Sequence, residues 1–290
     1  MTGMTAIRSD RATTMDPMLR LFLVVAAVLS AIAGIELFVL SDRTAQFFAW
    51  TVNPPIAAGF FGGGFLAITV AALWGLWVGD ARQVEPFLPV AIVATAAILI
   101  ASVIHLDRFH LTSPDPLPLL AAWVWLIVYV VVPLALLAYW FRSMPARRFE
   151  AVRRGLRRPI PPALRAALAA LCISTVILAV IAFVLPTSLR WPYQLTPLTG
   201  RMNGAFLASL AAATLVILLT DDLVRLRVAP VTLIVFGAMS LITLVRFQDT
   251  VSTTGAGIWI YVALFGATAL LGAAVLALAL RAPESDAIIQ

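Results

Sequence analysis

The sequence predicts an all-α, polytopic membrane protein with eight transmembrane helices, arranged as two tandem parallel four-helix repeats. Three observations lead to this prediction: the composition, a series of long apolar stretches and an internal repeat. Of the 290 residues, 62% are hydrophobic and only 12% are charged, and the mean hydropathy is +1.01. A soluble domain carries about 25% charged residues. The chain is therefore too apolar to fold in water.

Eight apolar stretches approach the length of about 20 residues that a helix needs to cross a bilayer. Backbone groups inside a bilayer have no water to bond, so each stretch is expected to be a helix. The long first stretch lacks a small-residue cleavage site and is interpreted as an anchor helix rather than a signal peptide. The predicted spans are 19–40, 56–78, 86–105, 117–141, 163–185, 203–220, 229–247 and 256–280.

The second half of the chain repeats the first. Trp50 begins WTVNPPIAAGFFGGGFLA and Trp191 begins WPYQLTPLTGRMNGAFLA, and the two segments align without gaps at a spacing of 141. Further matches have spacings of 145 upstream and of 138 and 136 downstream, as small loop insertions would produce. These matches are Arg20 with Arg165, 38–40 with 183–185, Arg108 with Arg246, and Trp123 with Trp259.

Arginine distribution predicts the orientation. All 20 basic residues are arginine, and 15 of them fall on one side of the predicted spans, which we interpret as the cytoplasmic side. Both termini are then cytoplasmic, and the protein is predicted to reside in the cell membrane. Because each half has four spans, the halves point the same way, related by a pseudo-twofold axis along the membrane normal. The predicted units are a tail 1–18, a repeat 19–141, a linker 142–162, a repeat 163–281 and a tail 282–290.

The linker is rich in arginine, with Phe149, Val152 and Leu156 at helical spacing. This pattern is typical of a short amphipathic helix on the inner leaflet. The simpler interpretation is a positive-inside segment between the repeats; the alternative is a binding site for anionic lipids over Arg142–Arg165. Membrane lipids are thus the predicted partners. The net charge of +6 is attributed to topology rather than to nucleic-acid binding.

Composition also limits the chemistry. The absence of lysine excludes a Schiff base, a lysine nucleophile and a P-loop lysine, and the single Cys172 excludes an internal disulfide. No motif predicts a cofactor or a metal site. Small residues four apart predict close helix packing at Gly59 and Gly63 and again at Gly200 and Gly204. The aromatic residues Trp123, Trp125, Trp259 and Tyr261 are expected to form a belt at the outer interface.

The few ionisable groups in or beside the spans gather at their outer ends. A charge at membrane depth is costly unless it is paired or hydrated, so such residues often mark function. Arg108 and Arg246, each close to a carboxylate and followed by Phe, either serve packing and headgroup contact or hold an anion between the halves. The candidate substrate-binding residues are Glu36, His105, Asp107, Arg108, His110, Arg201, Asn203, Arg246 and Asp249.

The two histidines are not repeated, because Thr243 and Gln248 stand at the equivalent positions. His105 and His110 are five residues apart, a spacing that does not place both on one face of a straight helix. The simpler interpretation is that they make interfacial hydrogen bonds. The alternative is that one of them serves as a proton shuttle.

The loop WPYQLTPLTGRMNGAFLA, together with SVIHLDRFH and WVWLIVYVVVP, resembles a group of bacterial multi-pass membrane proteins that carry a W-P-x-x-L-T-P-L-T-x-R-like outer loop. The resemblance extends from about Leu19 to the C-terminal region. It implies a polytopic membrane protein and no particular substrate.

Three functions fit these patterns. The first is transport or lipid handling, with a polar site near the outer face between the repeats. The second is a membrane enzyme using His105 or His110 at the outer face, which would require one of them to lie near Glu36, Asp107 or Asp249. The third is a non-catalytic membrane subunit. The first is preferred, because tandem parallel halves commonly form a site at their interface.

Overall fold

The computed structural model describes residues 15–152, 158–251 and 255–282, with only the backbone for 144–152. The structure is 81% helical, and eight helices in these ranges are long and apolar enough to cross a membrane. The chain is thus a multi-pass membrane protein. The helices are α1 (Pro17–Val39), α2 (Pro55–Val78), α3 (Leu88–Ile104), α4 (Pro116–Val152), α5 (Pro162–Val184), α6 (Pro197–Thr220), α7 (Ala229–Arg246) and α8 (Ala256–Arg281).

The helix bounds agree with the predicted spans except at α6 and α4. Helix α6 begins at Pro197, about six residues before the predicted start, because proline suits a first helical position and the Thr196 hydroxyl caps the helix by accepting from the Thr199 N–H at 3.2 Å. Helix α4 continues without a break to Val152, so the first part of the predicted linker prolongs a span. Residues 153–157 and most of both predicted tails lie outside the described ranges.

The helices pair across the two halves of the chain. Within each half the first two helices pack together, α1 on α2 and α5 on α6, and so do the last two, α3 on α4 and α7 on α8. Between the halves, α2 packs on α7 and α6 packs on α3. Each helical hairpin therefore packs against a hairpin from the other half. A parallel repeat would have this pairing pattern, although the pseudo-twofold axis itself stays a prediction.

Helices α2 and α6 form the centre of the bundle, with 78% and 61% of their most apolar stretches buried. The ring of Phe60 is fully buried and lies 5.4–6.2 Å from six other rings, which come from α2, α6, α7, α8 and the loop before α6. Phe61 of α2 and Phe206 of α6 stack at 5.5 Å with an interplanar angle of 12°. The space between the halves is thus filled by aromatic side chains.

Glycines bring the central helices close to their neighbours, as predicted. A Cβ on Gly62 would lie 2.5 Å from the backbone nitrogen of Phe38 in α1. A Cβ on Gly200 would lie 2.1 Å from the carbonyl oxygen of Pro186. Side chains larger than hydrogen therefore do not fit at these crossings.

The aromatic belt prediction is half right. Trp123 and Trp259 are 51% and 71% exposed, as a lipid-facing belt requires. Trp125 and Tyr261, each two residues further on, point to the opposite side of their helices and are buried. Trp125 donates from Nε1 to the Ser102 hydroxyl at 3.0 Å, and the Tyr261 hydroxyl donates to the carbonyl oxygen of Ser240 at 3.1 Å. These two residues hold the last two helices of each half together.

Ion pairs fasten the ends of the bundle opposite to His105 and Arg201. Arg165 pairs with Asp221 at 2.8 Å, and Arg142 pairs with Asp16 at 3.3 Å. Asp221 ends α6 in a left-handed conformation and also accepts from the Ile160 N–H at 3.1 Å. Arg142 and Arg165, which stand at the two ends of the predicted lipid-binding region, thus each form an ion pair with an aspartate.

Replacing Gly64 by alanine is expected to destabilise the protein. The new Cβ would lie 2.3 Å from Cε1 of Phe206, a ring held by Phe61, Phe65 and Phe236. Overpacking of this kind typically costs about 1–3 kcal/mol. Thermal unfolding in detergent, followed by tryptophan fluorescence, should show a lower melting temperature for Gly64→Ala.

Gly266→Ala is the matched control, because no heavy atom lies within 4 Å of its new Cβ. It should melt at or slightly above the temperature of the unmodified protein. Equal melting temperatures for the two variants would show that the central crossing is not tightly packed.

Candidate functional site

Most of the candidate residues lie at one end of the bundle, where α1, α3, α5 and α7 finish. We call this the outer end, after the orientation that the arginines predict. The structure divides the candidates among several sites instead of bringing them all to one. His105, Asp107, Arg108 and Arg201 belong to one cluster; His110, Arg246 and Asn203 each have separate partners.

His105 and Arg201 form a hydrogen bond between the two halves of the chain. His105 follows the last turn of α3, and Arg201 lies in the second turn of α6. Nη1 of Arg201 lies 2.8 Å from Nε2 of His105. Because a guanidinium can only donate, Nε2 must be the acceptor, so the imidazole is neutral and carries its proton on Nδ1. Both side chains are partly exposed.

The charges of this cluster do not balance. Asp107 pairs with Arg108 at 3.0 Å, and both side chains are largely exposed. Arg201 forms no ion pair with any described residue, and its hydrogen-bond partner is the neutral imidazole. With one carboxylate against two guanidiniums, the cluster carries a net charge of +1. A protonated His105 would raise it to +2.

The pKa of His105 is lowered from its ordinary value of 6.5. Burial is the main cause, and the positive charges of Arg201 and Arg108 act in the same direction, whereas Asp107 opposes them. His105 is therefore neutral at pH 7 and takes up a proton only in more acidic solution. The protonated imidazole could no longer accept the Arg201 hydrogen bond and would itself become a donor.

His110 has a structural role. Its Nδ1 donates to the carbonyl oxygen of Phe48 at 2.9 Å, and its Nε2 lies 3.2 Å from the Thr51 hydroxyl, from which it accepts. Its backbone N–H also donates to the carbonyl oxygen of Ala49 at 2.9 Å. These bonds fix the first outer loop, in which Trp50 is buried against Phe109 and Trp125. Both ring nitrogens of His110 are thus engaged.

Arg246 caps the C-terminal end of α1. Its guanidinium donates to the carbonyl oxygen of Phe38 and, at 3.1 Å, to that of Val39, which are among the last carbonyls of the helix. It also lies over the rings of Phe38 and Phe247, 5.1 and 5.2 Å from their centres. A cation at the C-terminal end of a helix complements the helix dipole. Arg108, its counterpart in the sequence repeat, has no such contact with a helix end.

Two candidate carboxylates have no ion-pair partner among the described residues. Glu36 lies in the last turn of α1 and is half-buried. Asp249 is exposed on the short turn Gln248–Thr250 that follows α7. In the described ranges, no three His, Cys, Asp or Glu residues gather closely enough to hold a metal ion.

Asn203 is fully buried in the second turn of α6. Its Nδ2 donates to the Tyr193 hydroxyl at 3.4 Å, and its Oδ1 has no hydrogen-bond partner among the described residues. Burial raises the pKa of the Tyr193 hydroxyl, which therefore stays protonated at physiological pH. Tyr193 also lies beside Trp191, which packs on Tyr261 at 5.2 Å. Asn203 thus belongs to the packed interior of the second half.

An apolar groove between α5 and α6 was not predicted. It has a volume of about 460 Å³ and opens to the side of the bundle. Its residues are Cys172, Val176, Ala179, Val180, Phe183, Val184, Ala208, Ala211, Ala212 and Leu215. The available signal was the small side chains of α6, which recur on the same helix face as Arg201.

No protein-family model, curated protein or solved structure matches this chain.

Replacing Arg246 by glutamine is expected to lower the thermal stability of the protein. The variant loses the charged donor to the end of α1 and leaves the Phe38 and Val39 carbonyls without it. Arg108→Gln is the matched control, since the Arg108 side chain is exposed and Asp107 is its one ion-pair partner among the described residues. Melting temperatures in detergent should fall for Arg246→Gln and stay within error for Arg108→Gln. Equal losses would contradict a capping role specific to Arg246.

Proposed function

We propose that the protein handles anionic lipids at its outer end and binds their headgroups at the His105–Arg201 pair. The observation that carries the proposal is that Arg201, in a membrane-spanning helix, bonds a neutral imidazole and has no carboxylate partner among the described residues. A guanidinium without a counter-ion attracts an anion, and it can bind a phosphate through two parallel hydrogen bonds.

The position of Arg201 favours a lipid over a soluble anion. Arg201 shares its face of α6 with Ala208, Ala212 and Leu215. Leu215 is exposed on this face, and the other three residues are half-buried. A long arginine side chain near the end of a transmembrane helix can reach the headgroup layer while its stem stays in apolar surroundings. The phosphate of a phospholipid lies at that depth.

The pair also joins the two halves of the chain. His105 belongs to the hairpin α3–α4, and Arg201 belongs to the hairpin α5–α6. A headgroup bound by both side chains would therefore respond to any movement of one hairpin against the other. Transport by alternating access depends on a site between two such units.

The enzyme alternative has less support. His110 already uses both ring nitrogens in the first outer loop, and the immediate hydrogen-bond partner of His105 is a cation instead of the carboxylate that commonly orients a catalytic imidazole. A headgroup site requires only the charge and the donors that His105 and Arg201 supply.

Removing the charge of Arg201 should weaken lipid binding. The protein in detergent would be exchanged with phosphatidylglycerol or phosphatidylcholine, and the retained lipid counted by native mass spectrometry. We expect retention of phosphatidylglycerol by the unmodified protein and roughly tenfold or weaker affinity for Arg201→Gln, because a charged hydrogen bond is lost. Movement of a fluorescent phosphatidylglycerol across liposomes containing the protein should slow in parallel.

Arg190→Gln is the matched control, since Arg190 is exposed in the loop before α6 and its loss changes the net charge equally. It should bind phosphatidylglycerol as the unmodified protein does. Equal weakening by both variants would indicate general surface charge, and no weakening by either would remove the proposal in favour of a non-catalytic subunit.

Lipid binding should strengthen in acid. The groups facing His105 are Arg201 from α6 and its own neighbours Asp107 and Arg108. Because its pKa lies below 6.5 in the free protein, acidification adds a positive charge there, and an anion favours that charged form. Affinity for phosphatidylglycerol should rise as the pH falls from about 7 to about 5, the acidic part of the range in which histidine titrates. The rise should disappear in His105→Gln, and a rise of equal size in this variant would contradict the assignment.

A further inference from the structure

The groove between α5 and α6 is apolar throughout and lies on the lipid-facing side of the membrane-spanning segments. It runs from Val184, the last residue of α5, to Cys172 near the middle of α5 and to Leu215, which lies five residues before the end of α6. Its volume of about 460 Å³ is within the range of small-molecule sites, about 300–1,000 Å³.

The groove is in line with Arg201. Ala208, Ala212 and Leu215 follow Arg201 by 7, 11 and 14 residues, and each spacing is close to a whole number of turns at about 3.6 residues per turn. All four residues therefore lie on one face of α6. At about 1.5 Å per residue, Ala208 lies about 10 Å and Leu215 about 21 Å from Arg201 along the helix axis. The polar pair thus stands at the outer end of the apolar groove.

The groove-lining positions of α6 differ in part from those of α2. At the repeat spacing of 141, Val70 and Trp74 of α2 correspond to Ala211 and Leu215 of α6, so α6 has the smaller side chain at these two positions.

In the first half, glycines bring α1 and α2 close together. A Cβ on Gly34 would lie 2.9 Å from Cγ of Leu66, and a Cβ on Gly62 would lie 2.5 Å from the Phe38 nitrogen. The second half has Ala179 and Asn203 at these two positions. Other glycines bring α5 and α6 close together near the outer end, where a Cβ on Gly204 would lie 2.8 Å from Cδ2 of Phe183 and one on Gly200 would lie 2.1 Å from the carbonyl oxygen of Pro186.

We propose that this groove holds an acyl chain of the lipid whose phosphate binds His105 and Arg201. The inference rests on the proposed function, and it defines the substrate class as an anionic phospholipid with at least one long chain. Hydrocarbon suits the groove because no charged side chain lines it. The single continuous face of α6 gives head and chain the order that they have in a phospholipid.

The test separates chain binding from headgroup binding. Ala212→Phe fills the groove and leaves the His105–Arg201 pair untouched. Ala263→Phe makes the same change at an exposed position of α8, outside the groove. Two probes would be titrated in detergent: dioleoyl phosphatidylglycerol, which has long chains, and glycerol 3-phosphate, which has a phosphate and no chain.

We expect the affinity of Ala212→Phe for phosphatidylglycerol to fall roughly tenfold and its affinity for glycerol 3-phosphate to stay unchanged. Ala263→Phe should bind both probes as the unmodified protein does. Arg201→Gln should lose both probes. If Arg201→Gln loses both while Ala212→Phe loses neither, the groove proposal fails and the headgroup site stands. If neither variant loses either probe, both proposals fail.

Two further measurements keep the test decisive. If Ala212→Phe does not fold, as judged by gel filtration and thermal unfolding, Ala208→Leu fills the outer part of the groove with a smaller change, and the same loss of phosphatidylglycerol is expected. Light scattering gives the oligomeric state. A dimer that becomes monomeric in Ala212→Phe would overturn the proposal, because the groove would then receive a helix from a second copy.

Discussion

The packing of α2 on α7 and of α6 on α3 is the constraint on which the rest of the structure depends. Because these contacts pair each hairpin with a hairpin of the other half, neither half of the chain is an independent unit. The same pairing brings the outer end of α3 to the start of α6, where His105 meets Arg201. It also brings the end of α7 to the end of α1, where Arg246 binds the last carbonyls. These two polar contacts between the halves are thus consequences of helix pairing.

Close packing at the centre makes this pairing of hairpins between the halves possible. Gly62 lets the backbone of α1 approach α2, and Gly64 leaves room for the ring of Phe206 from α6. Aromatic rings around Phe60 fill the space between the halves at this level. The candidate charged residues lie at the outer end of the bundle, and the ion pairs Arg165–Asp221 and Arg142–Asp16 lie at the opposite end.

The sequence predicted the helices well and the partners of the candidate site residues poorly. Length and hydropathy predict spans well because a bilayer permits few structures, and most helix ends fell within a few residues of the predicted ones. Spacing could not predict that Trp125 turns inward while Trp123 faces lipid. For that, the neighbours of each helix must be known.

The candidate residues show the same limit. Sequence reasoning treated Arg108 and Arg246 as equivalent because they match in the repeat, yet one is exposed beside Asp107 and the other caps α1. It treated His105 and His110 together because they are close in the chain, yet they have different partners. Partners come from other helices, so local spacing could not assign them. Arg201, which has no match in the repeat, proved to be one of the side chains that join the halves.

The packing of hairpins from one half on hairpins from the other has a consequence for the synthesis of the protein. Hairpin α1–α2 is made before α7, the helix that covers α2, and four helices lie between them in the chain. Until α7 is inserted, the nascent chain must therefore hold an incomplete bundle, with the Gly59–Gly63 face of α2 open to lipid. Assembly cannot be completed half by half, and hairpin α7–α8 closes a structure that hairpin α1–α2 began.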